Sequence, residues 1–412
     1  MTPHSIAARA QADAAESSYA WWRLAISTAI STIGGVGLWS VVVALPAVQA
    51  EFGVDRAEAS LPFSATMVGF ALGGALMGRL SDRFGIMLPA ACGAALIGLG
   101  YVLSGFAASL WQFAVAQGLL IGIGSSATFG PLVADVSHWF TRRRGIAVAI
   151  CACGNYLAGA FWPPILQHFI ATAGWRPTHI GVGLFCAATM LPLAWMLRRR
   201  APAHEDPAAN AAFKEAHAVL GVSPNALLIL LSLAAVACCV AMSMPQVHIV
   251  AYCGDLGYGV ARGAEMLSLM LGFGVISRVA SGFIADRVGG VATLLIGSVL
   301  QATALLLYML FNGLSSLYLI SILFGLVQGG IVPSYAIIIR EYFSPQEAAT
   351  RLGIVLMASL FGMAFGGWIS GVIFDLTGSY RAAFANGLAW NLINIAVALW
   401  LLARPGRRLA PA

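Results

Sequence analysis

Arg278 stands in the middle of the apolar run 265–285, eight residues before Asp286 and so about 12 Å from that end of a helix rising 1.5 Å per residue. It is the only basic residue deep within such a run, and no carboxylate shares its depth: Asp135, Glu265, Asp286 and Asp375 all fall near the ends of theirs. Burying a guanidinium there is costly unless it is paired. A planar fork of donors facing a cavity suits a carboxylate that arrives and leaves, with a structural ion pair as the competing reading. One positive charge balances one negative charge. A dicarboxylate would leave its second charge uncompensated in a low-dielectric cavity, so lactate-, pyruvate- or formate-like anions, or larger monocarboxylates, are favoured over oxalate. A coupling proton has two places to ride: the carboxylate at Arg278, or His248 near the end of the run 225–250. The competing reading of His248 is a hydrogen-bonded packing residue.

Other polar residues at mid-depth complete the candidate substrate pocket. They are Asn155 and Tyr156 in the run 145–170, Gln328 and Tyr335 in 317–339, and Ser125 and Thr128 in 111–135. Each needs a partner when buried, so an interhelical hydrogen bond is the alternative for every one. At the ends of the runs, Asp82 with Arg83, Asp286 with Arg287, Asp135 and Glu341 are expected to act as gating charges, paired in one transport state and released in the other. Exposed pairs are individually weak, which suits a gate whose two states differ by only a few kcal/mol. Gly154 to Pro164 and Pro333 are candidate bending positions. The seven cysteines show no metal-type spacing, and Cys151 and Cys153 flank Ala152 on a helix, pointing about 200° apart. No metal, no cofactor and no disulfide framework is expected. No nucleophile with a base, no pair of carboxylates at depth and no Gly-Lys-Ser/Thr phosphate loop is found, so the reading is not an enzyme and gradients must supply the energy.

The elements that would position these residues follow from composition. The chain has 412 residues, 60% apolar and 9% charged, where a soluble domain carries about 25% charged residues. Its charges gather in short clusters between twelve apolar runs close to the roughly 20 residues that cross a bilayer as a helix. The runs are 21–46, 61–80, 88–107, 111–135, 145–170, 180–197, 225–250, 265–285, 291–311, 317–339, 352–374 and 384–403. An all-α membrane protein of twelve transmembrane helices is therefore expected. With the N-terminus in the cytoplasm, seventeen basic residues fall on the cytoplasmic side and only Arg56, Arg176, Arg262 and Arg381 on the other. That is the positive-inside pattern, which places the chain in the inner membrane with both termini cytoplasmic. The net charge of +6 then reports topology, and no nucleic-acid partner is implied, because the charges are split among many segments. The expected organisation is a disordered cytoplasmic tail at 1–20 without a removable signal peptide, a six-helix bundle at 21–197, a cytoplasmic linker at 198–224, a second six-helix bundle at 225–403 and a tail at 404–412.

An internal repeat supports the division. Gly78-Arg79-Leu80-Ser81-Asp82-Arg83-Phe84-Gly85 recurs as Gly282-Phe283-Ile284-Ala285-Asp286-Arg287-Val288-Gly289, and Trp139-Phe140 is echoed by Tyr342-Phe343. Half-length repeats imply two pseudo-symmetric bundles that handle substrate at mid-depth in the membrane. The doubled octapeptide resembles the signature loop of the major facilitator superfamily (MFS), and the resemblance covers the whole chain. Within it, Trp139-Phe140-Thr141-Arg142-Arg143-Arg144-Gly145, leading into Gly154-Asn155-Tyr156-Leu157-Ala158-Gly159, is similar to the monocarboxylate transporter and oxalate/formate antiporter branch. Ser277-Arg278 matches the place where that branch carries a substrate-binding arginine. The resemblance also implies aromatic walls from spans five and ten, which favours Tyr156 and Tyr335 as substrate contacts. The chain departs from the branch at Gly274, where an Asp often stands, and at 352–374, which lacks the lysine of the oxalate exchangers. The acidic-Gly-Gly-aromatic signature of the first span survives only loosely as Gly34-Gly35-Val36-Gly37.

These features imply a secondary transporter moving a monocarboxylate by alternating access, coupled to protons or exchanging a counter-anion. The alternative is a multidrug or other organic-solute exporter of the same fold. Exporters of cations usually place acidic residues in the cavity, and Ala114 stands where the superfamily's span-four arginine would be, four residues before Gly118. A receptor would need more than one loop of about 25 residues to signal with. Two six-span bundles suffice for a monomeric mechanism in the lipid bilayer.

Overall fold

The computed structural model describes residues 17–140, 143–199, 223–343 and 345–403. The tails expected at 1–20 and 404–412, the linker at 198–224 and Arg142 of the basic motif lie wholly or mostly outside those residues.

Among the described residues the chain is helical throughout, with twelve helices long and apolar enough to cross a membrane. They are α1 (Ser18–Phe52), α2 (Arg56–Phe84), α3 (Met87–Gly105), α4 (Leu110–Trp139), α5 (Arg144–Ala173) and α6 (Trp175–Met196), then α7 (Pro224–Asp255), α8 (Val260–Val288), α9 (Gly290–Leu310), α10 (Leu314–Tyr342), α11 (Thr350–Thr377) and α12 (Tyr380–Ala403). Several run past the apolar cores read from sequence. Helix α8 begins five residues before the expected 265, because Arg262 and Glu265 pair one turn apart at 3.0 Å and solvate its first turn.

Local chemistry explains where helices start and stop. Ser17, Ser109 and Ser223 each accept a hydrogen bond from the backbone N–H three residues on, satisfying donors left open at the helix start. The tight joins use glycine in the left-handed region, and three of them recur 204 positions apart: Gly53 with Gly257, Gly85 with Gly289, and Gly174 with Gly378. The last glycine of each octapeptide is one of these, at φ +82° and +84°. The repeat is thus written in backbone geometry as well as in side chains.

Three spans are interrupted. Helix α1 consists of Ser18–Gly34 and Val36–Phe52 with a turn at Gly35; α4 contains a wide π turn over Ala116–Gly122 and a break before Gly130; α10 breaks at Gly329 and Gly330. Such breaks in a membrane need neighbouring groups to satisfy the freed backbone.

The chain divides into two compact units. Unit 1 is Met1–Phe52 with Ala65–His204, and unit 2 is Gly53–Ser64 with Glu205–Ala412. The expected first bundle at 21–197 therefore loses residues 53–64, which belong with unit 2 because the first turns of α2 lie on α11. A Cβ on Gly371 would come within 2.9 Å of the Ala57 backbone, one on Gly367 within 2.9 Å of the Phe63 ring, and Ser64 donates to the Ala364 carbonyl at 2.6 Å. Elsewhere in each unit glycine again permits backbone-to-backbone approach. In unit 1 a Cβ on Gly183 of α6 would lie 2.7 Å from the Gly98 carbonyl oxygen of α3; in unit 2 one on Gly362 of α11 would lie 2.6 Å from the Val236 carbonyl oxygen of α7. Large apolar side chains such as Leu72, Phe106, Leu119, Phe161, Phe283 and Leu319 are exposed, as a lipid-facing surface requires. Trp22, Trp111 and Trp195, near span ends, are exposed as well, in the manner of interfacial anchors.

Candidate functional site

In unit 1, three of the expected site residues gather around the break in α1. Ser125 is fully buried, and its hydroxyl donates to the Gly34 carbonyl at 3.4 Å. Thr128 packs on Gly34, where a Cβ would lie 3.2 Å from the threonine Cβ, and donates to the Ser125 carbonyl at 2.7 Å. Asn155 of α5 lies against Gly35, and its buried carbonyl oxygen has no hydrogen-bond partner. Ser27 and Ser31, on the preceding turns of α1, are also buried with hydroxyls that make no hydrogen bond. The loose Gly34-Gly35-Val36-Gly37 signature thus contains the break in α1, lined by α4 and α5. Tyr156 follows Asn155 and is half-buried.

In unit 2, Arg278 is half-buried on α8 opposite the break in α10. A Cβ on Gly329 would lie 3.0 Å from the Arg278 backbone nitrogen and 2.9 Å from the Ser277 Cβ. The repeat places Gly74 at the corresponding position of α2, so the guanidinium is present in one half only. Gln328 is buried and engaged: its carbonyl oxygen accepts from Gln246 of α7, and its amide donates to the Met270 carbonyl at 3.2 Å. The Gln246 carbonyl oxygen is buried without a hydrogen-bond partner. Tyr335 is fully buried, with its hydroxyl donating to Asn394 at 2.9 Å; Asn394 donates in turn to the Ser298 hydroxyl at 2.7 Å, and Asn391 to the Ser298 carbonyl at 2.7 Å. This network ties α9, α10 and α12 together. His248 of α7 is fully buried, with Nε2 2.8 Å from the Gly367 carbonyl oxygen, Nδ1 without a hydrogen-bond partner, and its ring centroid 5.7 Å from that of Tyr380.

The expected gating charges divide into two kinds. Asp135 is buried in unit 1 and accepts from Arg23 Nε at 2.7 Å and Nη2 at 2.9 Å, while the guanidinium lies over the Trp139 ring at 4.7 Å. Glu341 accepts from the Gly290 N–H at 3.0 Å and so caps α9 directly after the second octapeptide. Asp82, Arg83, Asp286 and Arg287 are exposed and form no ion pair among the described residues.

Two arginines outside the expected site are buried and held by named partners. Arg23, counted among the seventeen basic residues of the cytoplasmic side, is 1% exposed. Arg56, read as a loop charge, is 7% exposed in unit 2: Nη1 donates to the Tyr380 hydroxyl at 2.6 Å, Nη2 to Asp255 at 3.2 Å, and the guanidinium lies 5.0 Å from the Phe374 ring centroid. The signal available in sequence was the scarcity of basic residues on that side, only four in number. Their partners sit far away along the chain, and spacing alone does not find them.

The family model described as Major Facilitator Superfamily matches residues 25–321 and 266–412. Monocarboxylate transporter 13 of Bos taurus is 29% identical over 351 residues, 83% of this chain and 79% of that protein. The Agnestins efflux protein AgnL12 of Paecilomyces divaricatus is 22% identical over 326 residues, 79% of this chain and 73% of that one. Among solved structures, a bacterial homolog of the human lysosomal transporter Spinster, inward-facing and occupied, aligns with a TM-score of 0.72 at 17% identity, covering 96% of this chain and 99% of that one. The nucleoside transporter NupG aligns at 0.70 with 14% identity over 92% of this chain and 99% of that one. Structural likeness at such identity speaks for the fold. The matched residues span nearly the whole chain, and this protein is a multi-pass membrane transporter that belongs to the major facilitator superfamily.

Proposed function

We propose that the substrate is a monocarboxylate anion, carried by alternating access with a proton or in exchange for a second anion. The observation that carries this reading is the guanidinium of Arg278, in the middle of α8, set where α10 is interrupted and where the repeat has Gly74. Its fork suits one carboxylate, and its single charge suits a single negative charge. The relatives named monocarboxylate transporters support the same substrate class. Within unit 1, Asn155 and Tyr156 are proposed as substrate contacts, with Ser125 and Thr128 acting through the break in α1. Within unit 2, Gln328 and Tyr335 are proposed to act from behind the site, since their polar atoms already serve neighbouring helices. His248 is proposed as a proton site through its unbonded Nδ1. Asp82, Arg83, Asp286 and Arg287 are proposed to gate by transient pairing, while Asp135 and Glu341 anchor their own units. The chain is proposed to lie in the inner membrane with both termini cytoplasmic.

The test is uptake of a labelled monocarboxylate panel into proteoliposomes, with and without an inward proton gradient, comparing the wild type with Arg278→Ala. The expected outcome is saturable uptake that falls about a hundredfold in the variant, the scale of leaving a buried charge without its partner. Gradient dependence assigns symport, and its absence with stimulation by internal anion assigns exchange. A folded Arg278→Ala protein that transports like the wild type removes the anion site. Failure of every monocarboxylate moves the organic-solute exporter reading ahead, in keeping with the fungal efflux relative.

A further inference from the structure

We propose that the first turn of α1 and the end of α6 form a binding site for the headgroup of an anionic phospholipid, centred on Arg198 and Arg199. The inference goes beyond the substrate reading and does not depend on which solute is carried.

Helix α6 ends at Met196, and the chain continues as Leu197-Arg198-Arg199, so two guanidinium groups follow directly on an apolar span. Both arginines are exposed, yet each is seated on an aromatic ring. The Arg198 Cζ lies 4.4 Å from the ring centroid of Trp195, and the Arg199 Cζ lies 4.8 Å from that of Tyr19 in the first turn of α1. Tyr19 is itself fixed, because its hydroxyl accepts from Arg23 at 3.1 Å and its ring meets Trp139 edge-on at 5.2 Å. Arg199 therefore joins the end of α6 to the start of α1. A ring face attracts the cation without taking its N–H donors, and among the described residues neither arginine has a carboxylate within ion-pair distance. Those donors suit phosphate oxygens. Leu191, Trp195 and Met196 of α6 and Trp22 of α1 are exposed at the same helix ends. An amphipathic lipid, with a negative head on apolar tails, matches the cations and the apolar side chains together, whereas a soluble anion matches only the cations.

Charge balance points to the same partner. At this end of unit 1 the described residues carry exposed Arg79, Arg83, Arg143, Arg144, Arg198 and Arg199 against one exposed carboxylate, Asp82, since Asp135 is neutralised by Arg23. At the corresponding end of unit 2, Arg287, Arg340 and Arg351 are balanced by Asp286, Glu341 and Glu347. The repeat shows the same asymmetry: 204 positions on, Tyr19, Trp195, Arg198 and Arg199 correspond to Ser223, Leu399, Leu402 and Ala403. Orienting a chain in a bilayer asks for basic residues at one end, but it does not ask for rings beneath them. The seated arginines beside exposed tryptophans mark a site within the general excess of charge.

The test uses the full chain, purified in detergent with equal amounts of phosphatidylglycerol and phosphatidylcholine, and reads by native mass spectrometry how much of each stays bound. The wild type is expected to retain phosphatidylglycerol in preference. Arg198→Gln with Arg199→Gln is expected to lower the ratio of bound phosphatidylglycerol to phosphatidylcholine about thirtyfold, the scale of two basic residues at an anionic surface. Trp195→Leu keeps both charges, removes the ring under Arg198 and is expected to lower the ratio about threefold. Arg340→Gln, an exposed arginine of unit 2, is expected to leave it unchanged. Should the double variant not fold, Arg199→Gln alone is expected to lower the ratio about fivefold. A wild type without preference, an unchanged ratio in the folded site variants, or an equal fall with Arg340→Gln overturns the site. Displacement of phosphatidylglycerol by inorganic phosphate, at ionic strength matched with chloride, would assign the arginines to a soluble anion and overturn it as well. The readout involves no solute, so a failed uptake panel leaves it standing and a failed lipid site leaves the uptake result standing.

Discussion

Arg23 and Asp135 show what a single residue contributes apart from chemistry. Both are buried in unit 1, and their two parallel hydrogen bonds at 2.7 and 2.9 Å neutralise each other beside Trp139 and Tyr19. Removing one partner strands the other charge, so Asp135→Asn or Arg23→Met alone is expected to cost about 3 to 5 kcal/mol. Replacing both, as Arg23→Met with Asp135→Leu, is expected to recover most of that stability. Thermal unfolding in detergent of the two single variants and the double variant checks it. A double variant no more stable than the worse single one would assign Asp135 a partner other than Arg23. Arg278 is the charge proposed to bind the solute. Arg278→Lys keeps the charge and loses the bidentate geometry, so uptake is expected to persist with half-saturation raised about tenfold. Loss as complete as in the alanine variant would mean that the fork, more than the charge, binds the solute.

The octapeptide repeat is an argument about elements. Its first and last glycines look equivalent in sequence, but a Cβ on Gly282 meets nothing within 4 Å, whereas Gly289 has φ +84° and passes the chain into α9 under the cap of Glu341. Gly282→Ala is therefore expected to be neutral or slightly stabilising, because alanine favours the helix, and Gly289→Ala to destabilise by about 1 to 2 kcal/mol. Melting temperatures of the two variants decide between this account and one in which the motif acts through its charges alone. The same element shows what was legible beforehand. The loop and its duplication stood in the sequence because a left-handed turn needs glycine and a helix end attracts charge. The breaks in α1, α4 and α10 did not, since in a chain with 46 glycines most of them serve close helix packing and only tertiary contact distinguishes a break from a packing groove.

Across the whole molecule, the twelve spans were legible because crossing a bilayer imposes a run of apolar residues that no soluble helix needs. The polar cluster around Arg56 was not, because its partners Asp255 and Asp375 lie 199 and 319 residues away and each looks like an ordinary span-end charge. Orientation rests on the same distribution of charge, with seventeen basic residues assigned to one side and four to the other. If the bilayer imposes that asymmetry, the two octapeptide loops must face the cytoplasm and the Asp255 end of α7 the opposite side. Ser81→Cys and Asp286→Cys in intact cells are then expected to resist an impermeant maleimide until the membrane is opened, while Tyr258→Cys, in the exposed turn after α7, is labelled from outside. The reverse pattern would invert the chain.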